Sequence, residues 1–288
     1  MNHLPEHQKG IIAVLIAAIL WSTGGILIKL VNLHPLQITF FRAIFAASVF
    51  AIAFRKQAFI FNGMTFVNGL FYAAILILFV MATKLTTAAN AIFLQYTAPI
   101  YVLIFEPLIN KTEFKKINLF TILACFGGMT LFFMGELSFN HYNGNIIALL
   151  SGIAFAAFLI GMKNNKHEYQ FSTIFYGNIF IILFSIPSVM NLQTLTLRDF
   201  TMVAFLGIFQ IGIAYAIFTY GLKRVFAIEA SLISMIEPAL NPVWVVLWYG
   251  EVPSFFAIIG GIIIISAIGI RTFMLESGKF NKIKKASA

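Results

Sequence analysis

Glu237 is the residue of this sequence whose type and position most strongly suggest chemistry. It lies about ten residues from either end of an apolar run over 227–248, which is long enough for one membrane-spanning helix. An ionised side chain at the centre of such a helix costs about 2.5 to 3.5 kcal/mol on insertion scales, so a retained carboxylate usually faces a wet cavity or the bundle interior. We therefore expect Glu237 to bind a substrate amine or to carry a coupled proton. Interhelical hydrogen bonding is the structural alternative.

A polar and aromatic stripe accompanies Glu237 on the same run. At 100° per residue its members fall within about 80° of one another. They are Ala230, Ser234, Glu237, Asn241, Trp244 and Trp248. The stripe predicts a cavity wall, and Pro238 and Pro242 would bend it because each lacks a backbone N–H.

Arg42 is a second charged residue inside an apolar run. It could hold a substrate carboxylate or pair with Glu237, whereas snorkelling to the headgroups or fixing two helices together would be a structural role. Aromatic faces suit planar or cationic solutes. The predicted central cavity is therefore lined by Trp21, Arg42, Tyr96, Tyr176, Gln210, Tyr215, Glu237, Asn241 and Trp244.

The run that contains Tyr96 carries polar residues on two opposite faces. Asn90, Thr97 and Tyr101 share one face of a continuous helix, and Gln95 and Glu106 share the other. Both faces cannot line one cavity. For Glu106, close to the inner end, we expect a structural pair with Lys111 or with a neighbouring loop.

Composition requires these residues to sit in a membrane protein. Of 288 residues, 60% are hydrophobic and 10% are charged, against roughly 25% charged in a soluble domain. Ten apolar runs of about 20 residues each are the expected spans, and no separate soluble domain fits beside them. They lie near 10–30, 36–54, 65–83, 87–109, 117–134, 144–163, 171–190, 200–222, 227–248 and 253–273.

Loop charges orient these spans. Lys and Arg concentrate in the head, in the loops near 55, 111–116, 163–166 and 223, and in the tail, whereas the opposite side has only Lys29, Lys84 and Arg198. Basic loops are cytoplasmic. We therefore predict an even number of spans with both termini in the cytoplasm, in a multi-pass protein of the cell membrane.

The two halves of the sequence are weakly similar. At an offset of 134, Trp21, Lys29 and Arg42 fall on Phe155, Lys163 and Tyr176; at 139, Lys84, Ala91 and Pro99 fall on Lys223, Ala230 and Pro238. Each half holds five predicted helices, so the second must enter the membrane inverted. We expect repeats at 1–136 and 137–274, a basic cytoplasmic tail at 275–288, and a substrate site between the halves near the midplane.

Several functions are excluded by missing residues. Cys125 is the single cysteine and Asp199 the single aspartate, and the histidines lie at or beyond the edges of spans. No phosphate-binding glycine loop occurs, and the basic residues form no patch for nucleic acid. We expect no enzyme activity, no catalytic residues, no metal and no cofactor.

Short motifs over nearly the whole chain resemble those of the EamA-type transporters in the drug/metabolite transporter superfamily. They include Trp21-Ser22-Thr23-Gly24-Gly25 and Tyr96-Thr97-Ala98-Pro99 in the first half, and Glu237-Pro238 through Gly250-Glu251 in the second. The segment 209–215 and the Glu237-Pro238 pair are most similar to the subgroup that includes aromatic amino acid and paraquat exporters. The resemblance implies ten helices in two inverted repeats and export of small organic metabolites. The second half has Tyr176 at the position where the first half has Arg42. The two halves therefore do not share a symmetric arginine.

The combined expectation is an all-α membrane protein that works as a secondary active transporter by alternating access. Its partners would be a small solute such as an amino acid, the lipid bilayer and, if Glu237 titrates, a proton; the oligomeric state is left open. Uptake or facilitated diffusion of a similar solute is one alternative, and a membrane scaffold with a filled core and no transport is another.

Overall fold

The computed structural model describes residues 4–134, 140–190, 192, 194–240, 244 and 254–286. Within these ranges the chain forms helices and no strand. The helices are α1 (Glu6–Trp21), α2 (Gly24–Leu30), α3 (Pro35–Ala53), α4 (Arg55–Ala58), α5 (Gly63–Leu85), α6 (Ala88–Gln95), α7 (Ala98–Asn110), α8 (Lys116–Phe132), α9 (Tyr142–Asn164), α10 (Gln170–Val189), α11 (Leu197–Phe205), α12 (Ala214–Leu222), α13 (Ala227–Ser234) and α14 (Phe255–Ala286). A 3₁₀ turn, His167–Tyr169, precedes α10, and a π-helix, Leu206–Ile213, joins α11 to α12.

Seven helical stretches of the described chain are long and apolar enough to cross a membrane. They are Pro35–Ala53, Gly63–Leu85, Ala88–Asn110, Tyr142–Asn164, His167–Val189, Leu197–Leu222 and Phe255–Leu275, while Lys116–Phe132 is apolar but shorter. Large side chains such as Leu108, Leu123 and Ile262 are exposed. A contiguous apolar surface of this kind fits contact with lipid rather than with water.

Three of the predicted spans are interrupted near their middle. The breaks follow Trp21, Gln95 and Ser234, and at each the chain tightens through an i→i−3 bond, from Thr23, Thr97 and Met235 respectively. Pro99 is the second residue of α7, immediately after the second break, where its missing N–H costs nothing because the first turn of a helix has no intrahelical acceptor for it. The sequence predicted continuous helices here, and the breaks turn the residues beside them towards the centre of the bundle.

A fourth span departs from regular α-helix along the π-helix Leu206–Ile213. Its wider turn presses against α3: a Cβ added at Gly207 would stand 2.6 Å from the carbonyl oxygen of Arg42. Only glycine allows this approach, which brings the π-helix against the helix that carries Arg42. π-Helical turns are rare and concentrate at functional sites.

The two predicted halves pack extensively against each other. The largest helix contacts join α5 to α9, α3 to α10, α8 to α14, α5 to α10 and α1 to α12. Each of these pairs takes one helix from residues 1–136 and one from residues 137–274. The core is therefore shared between the halves rather than divided into two separate cores.

The helices α8 and α14 each contain two adjacent glycines. One glycine of each pair makes the contact between the helices. A Cβ added at Gly260 would collide with the Gly128 carbonyl and stand 2.6 Å from the Phe132 nitrogen, whereas one added at Gly261 would meet nothing nearer than 3.9 Å. Gly127 likewise faces open space. Small residues allow membrane helices to approach closely, and here Gly128 and Gly260 serve that role.

We expect Gly260→Ala to destabilise the protein by about 1 to 3 kcal/mol, because the added methyl forces α8 and α14 apart. Gly261→Ala is the matched control and should be neutral or stabilising by up to about 1 kcal/mol, since alanine favours helix. Thermal unfolding in detergent measures both. Equal midpoints for the two variants would contradict close packing at Gly260.

Candidate functional site

Six of the nine residues predicted for the cavity meet around one buried cavity at the centre of the bundle. They are Trp21, Arg42, Tyr96, Gln210, Tyr215 and Glu237, and the lining is completed by Ile75, Leu76, Phe79, Gln95, Phe155 and Ile211. The cavity measures about 30 Å³, far below the roughly 300–1,000 Å³ of a typical site for a small organic ligand. A ligand of that size would fit only if the surrounding helices separated.

The irregular positions of the fold supply the polar part of this lining. The break after α1 presents Trp21, the break after α6 presents Tyr96, and Glu237 follows the break after α13. Gln210 lies inside the π-helix. Much of the polar lining thus comes from segments where the backbone leaves regular α-helix, whereas Arg42 lies within the regular helix α3. The lining draws on both predicted repeats.

Arg42 has one hydrogen-bond partner in this cavity. Its Nη2 donates to Oε1 of Gln210 at 2.6 Å, and Nε2 of Gln210 donates to the Trp21 carbonyl at 3.4 Å. The arginine is only 3% exposed, and its Nε and Nη1 are buried without a partner. Gly24 makes room for the glutamine, because a Cβ there would stand 2.5 Å from Nε2 of Gln210.

Glu237 is held by a different neutral partner. The Tyr96 hydroxyl donates to its Oε2 at 2.6 Å. Arg42 and Glu237 line the same cavity, yet no ion pair found in the described part of the chain joins them. The structure therefore does not realise the pairing that the sequence offered for Arg42.

An aromatic cluster forms one wall of the cavity. The Trp21 ring centroid lies 4.8 Å from those of both Tyr215 and Phe218, and Tyr215 lies 4.8 Å from Tyr72. The Tyr72 hydroxyl accepts a hydrogen bond from Asn178 at 3.1 Å. Sequence reasoning did not single out Tyr72, because nothing in its apolar run distinguishes it from other aromatic residues.

Two described residues of the predicted cavity lie outside this lining. The hydroxyl of Tyr176 donates to the Phe59 carbonyl at 3.3 Å and its ring contacts Phe61, because α10 turns its other face to the core. Trp244 donates from Nε1 to Oγ of Ser22 at 2.7 Å, beside the break after α1. Asn241 lies outside the described residues.

A second polar cluster lies near the start of α13, away from the cavity. Glu229 lies 3.2 Å from Nη1 of Arg271 and 2.8 Å from Nε2 of His7, and Arg271 donates from Nε to Asn118 at 2.9 Å. Sequence reasoning missed this cluster, since its members are scattered over four helices. Glu106 accepts from the N–H groups of Ala227 and Ile228 at 2.9 and 2.8 Å. It therefore pairs with the neighbouring loop and helix start, one of its two expected roles.

Each half of the chain matches the same protein family. The sequence model of the EamA-like transporter family matches residues 8–134 and, separately, residues 142–272. A protein of known crystal structure has the same fold, with a TM-score of 0.78 at 16% identity over 93% of this chain and 98% of that one.

Named transporters resemble the chain over most of its length. An uncharacterized transporter of Archaeoglobus fulgidus is 24% identical over 91% of this chain and 95% of its own. The uncharacterized transporter YdfC of Bacillus subtilis is 25% identical over 72% and 69%. The pseudopaline exporter CntI of Pseudomonas aeruginosa is 22% identical over 90% and 94%.

We expect Gln210→Met to destabilise the protein by about 1.5 to 3 kcal/mol, because Arg42 loses its partner while its charge stays buried. The exposed Gln57→Met is the matched control and should change stability by less than about 0.5 kcal/mol. Thermal unfolding in detergent measures the difference.

The double variant Arg42→Met/Gln210→Met tests the cause of that loss. Removing the charge as well should recover part of the stability, giving a coupling between the two sites of at least about 0.5 kcal/mol. Additive losses, or a Gln210→Met protein as stable as Gln57→Met, would contradict the pairing.

Proposed function

This chain belongs to the EamA-like transporter family, and we propose that it is a secondary active transporter that exports small organic metabolites such as amino acids. The central cavity carries this proposal. Arg42 and Glu237 are both buried in it, each with a neutral partner and neither joined to the other. Opposite charges arranged in this way can hold a solute with complementary polar groups, since such intramembrane residues usually mark a substrate path.

Ten spans in the cell membrane, with both termini in the cytoplasm, are part of the proposal. Besides the seven long helices, three apolar segments are shorter or interrupted: α1 with α2, α8, and the segment that begins with α13. Counting each as a span gives ten. His7 near the start of α1 and Arg271 in α14 both contact Glu229, which supports placing the two ends of the chain on one side.

We propose that the spans form two inverted repeats, at 1–136 and 137–274, with a basic cytoplasmic tail at 275–288. The family model matches two consecutive segments of similar length, which supports this division. Corresponding lysines also make corresponding contacts. Lys29 donates to the Thr86 carbonyl at 3.0 Å and Lys163 to the Val225 carbonyl at 2.8 Å. The two pairs are related by offsets of 134 and 139, the same offsets that align the halves of the sequence.

Alternating access is supported by polar contacts that close the bundle at both ends. At the proposed outer end, Thr86 and Asn90 of the first half both donate to Asn145 of the second, at 2.8 Å each. We call this the outer closure. At the inner end, Glu229 of the second half contacts His7 of the first and Arg271, which we call the inner closure. Asn90 and Glu229 correspond at the offset of 139, so the two closures use equivalent positions.

The cavity lining and one named relative support the export of an amphipathic solute. The cavity combines charged and amide groups with aromatic and aliphatic side chains, a mixture suited to a small organic molecule. CntI is named an exporter, and we propose the same direction here. The segment 209–215 and the Glu237-Pro238 pair resemble those of aromatic amino acid and paraquat exporters. On this resemblance, we also propose substrates like theirs.

We propose that Glu237 either binds the substrate amine or carries the coupled proton. Its depth in the bundle and its hydrogen bond to Tyr96 keep it close to any solute in the cavity. Protonation and amine binding would compete for the same carboxylate, and such competition couples a proton gradient to export.

Purified protein in proteoliposomes, with a panel of aromatic and aliphatic amino acids and organic cations, tests the function. We expect Glu237→Gln to lower the flux driven by a pH gradient by at least about tenfold, because the amide neither titrates nor pairs with an amine. Glu168→Gln, at an exposed glutamate in the turn before α10, is the matched control and should keep wild-type flux. Full flux in Glu237→Gln would remove the coupling role, and a folded wild type that moves no member of the panel would contradict transport.

A further inference from the structure

Arg42 carries more hydrogen-bond donors than the cavity satisfies. A guanidinium has five N–H groups in a rigid planar fork. Only Nη2 has a recorded partner, Oε1 of Gln210, whereas Nε and Nη1 are buried without one. The side chain is 3% exposed, so water at the surface cannot serve these donors.

A second unpartnered donor belongs to the same cavity. The indole Nε1 of Trp21 is also buried without a partner, although its ring is fixed between Tyr215 and Phe218. Trp21 and Arg42 are further linked through Gln210, which bonds to both. Among the described residues, the cavity lining thus has three unpartnered donor nitrogens on two side chains that are held in place by packing.

No acceptor of full negative charge answers these donors in the described structure. Glu237, the acidic residue of the described cavity lining, is bonded to Tyr96 and forms no ion pair with Arg42 among the described residues. Gln210 offers a neutral oxygen, which satisfies one donor and leaves the charge uncompensated. Burying a charge in this way is costly unless a further partner completes it.

We propose that the substrate carries a carboxylate, and that it binds the N–H groups of Arg42 that Gln210 leaves free together with the indole N–H of Trp21. A carboxylate matches the guanidinium fork in charge and shape and accepts two parallel hydrogen bonds, here from the second N–H of Nη2 and from Nε or Nη1. The rest of the solute lies against Ile75, Leu76 and Phe79, so it is apolar. Glu237 across the cavity accepts an ammonium group where the solute has one.

This inference rests on the proposed function and narrows it. The positive charge of Arg42 disfavours organic cations that have no anionic group, because like charges repel in a poorly hydrated cavity. Of the two kinds of substrate proposed above, this inference therefore excludes cationic solutes of the paraquat type and retains amino acids with apolar side chains.

Matched pairs of solutes that differ only in the carboxylate provide the test. Proteoliposomes containing the full chain would be assayed with phenylalanine against phenylalaninamide, leucine against leucinamide, and methyl viologen. We expect the wild type to move each acid at least tenfold faster than its amide and to leave methyl viologen unmoved.

Variants at Arg42 and Trp21 assign this preference to the proposed residues. Arg42→Gln should reduce the ratio of acid to amide flux by about 10- to 100-fold, the range for a hydrogen bond to a charged group. Arg42→Lys should give a flux ratio between those of the wild type and Arg42→Gln, since the lysine ammonium is a point charge and lacks the planar fork of the guanidinium. Trp21→Phe keeps the ring, removes only the N–H, and should lower the ratio a few-fold. Arg198→Gln, at an exposed arginine, should leave the ratio unchanged.

The ratio separates a recognition role from a structural one, because misfolding lowers both fluxes together. Equal wild-type flux of acids and amides, or a ratio that survives in both Arg42→Gln and Trp21→Phe, would overturn the carboxylate site while leaving transport intact. A folded wild type that moves none of the solutes would overturn the proposed function, and the inference with it.

Discussion

The structure depends on one constraint: two opposite charges are buried in the same small cavity without being joined to each other. Arg42 and Glu237 each make one short bond of 2.6 Å, to Gln210 and Tyr96 respectively. A direct ion pair would neutralise both charges and leave a filled, inert core. Neutral partners instead keep each group oriented, and in the proposed function each group exchanges its partner for a solute.

The helix breaks connect this cavity to the ends of the molecule. α6 begins beside Asn90 of the outer closure and ends at Tyr96 in the cavity, and α13 begins beside Glu229 of the inner closure and ends just before Glu237. Both helices have eight residues. A solute that separates Tyr96 from Glu237 would act on the end of each helix that lies at the cavity. The closures also differ in chemistry, since the outer one is built from neutral amides and a hydroxyl and the inner one from charged groups.

Much of the fold and part of the site could be predicted from the sequence. The apolar runs predicted an all-helical membrane protein, and polar residues inside those runs predicted Arg42, Gln210 and Glu237 on the cavity lining. What failed was the assumption of regular helix. Gln95 and Thr97 were assigned to opposite faces of one helix, but the chain breaks between them, so the 100° rotation no longer holds. The π-helix that places Gln210 has no signal in residue spacing. Tyr176 was predicted on the lining for its aromatic ring, and residue type says nothing about the direction of a side chain.

The most direct test is to measure the accessibility of the cavity from each side of the membrane. Leu76→Cys in a Cys125→Ser background places the single thiol on the cavity lining, and an impermeant thiol reagent can be applied to vesicles of either orientation. Asn145→Ala, which removes the outer closure, should raise labelling from the outer side alone, and Glu229→Ala, which removes the inner closure, should raise it from the inner side alone. Labelling raised from the same side by both variants, or from both sides by either one, would contradict a cavity that two equivalent closures open in turn.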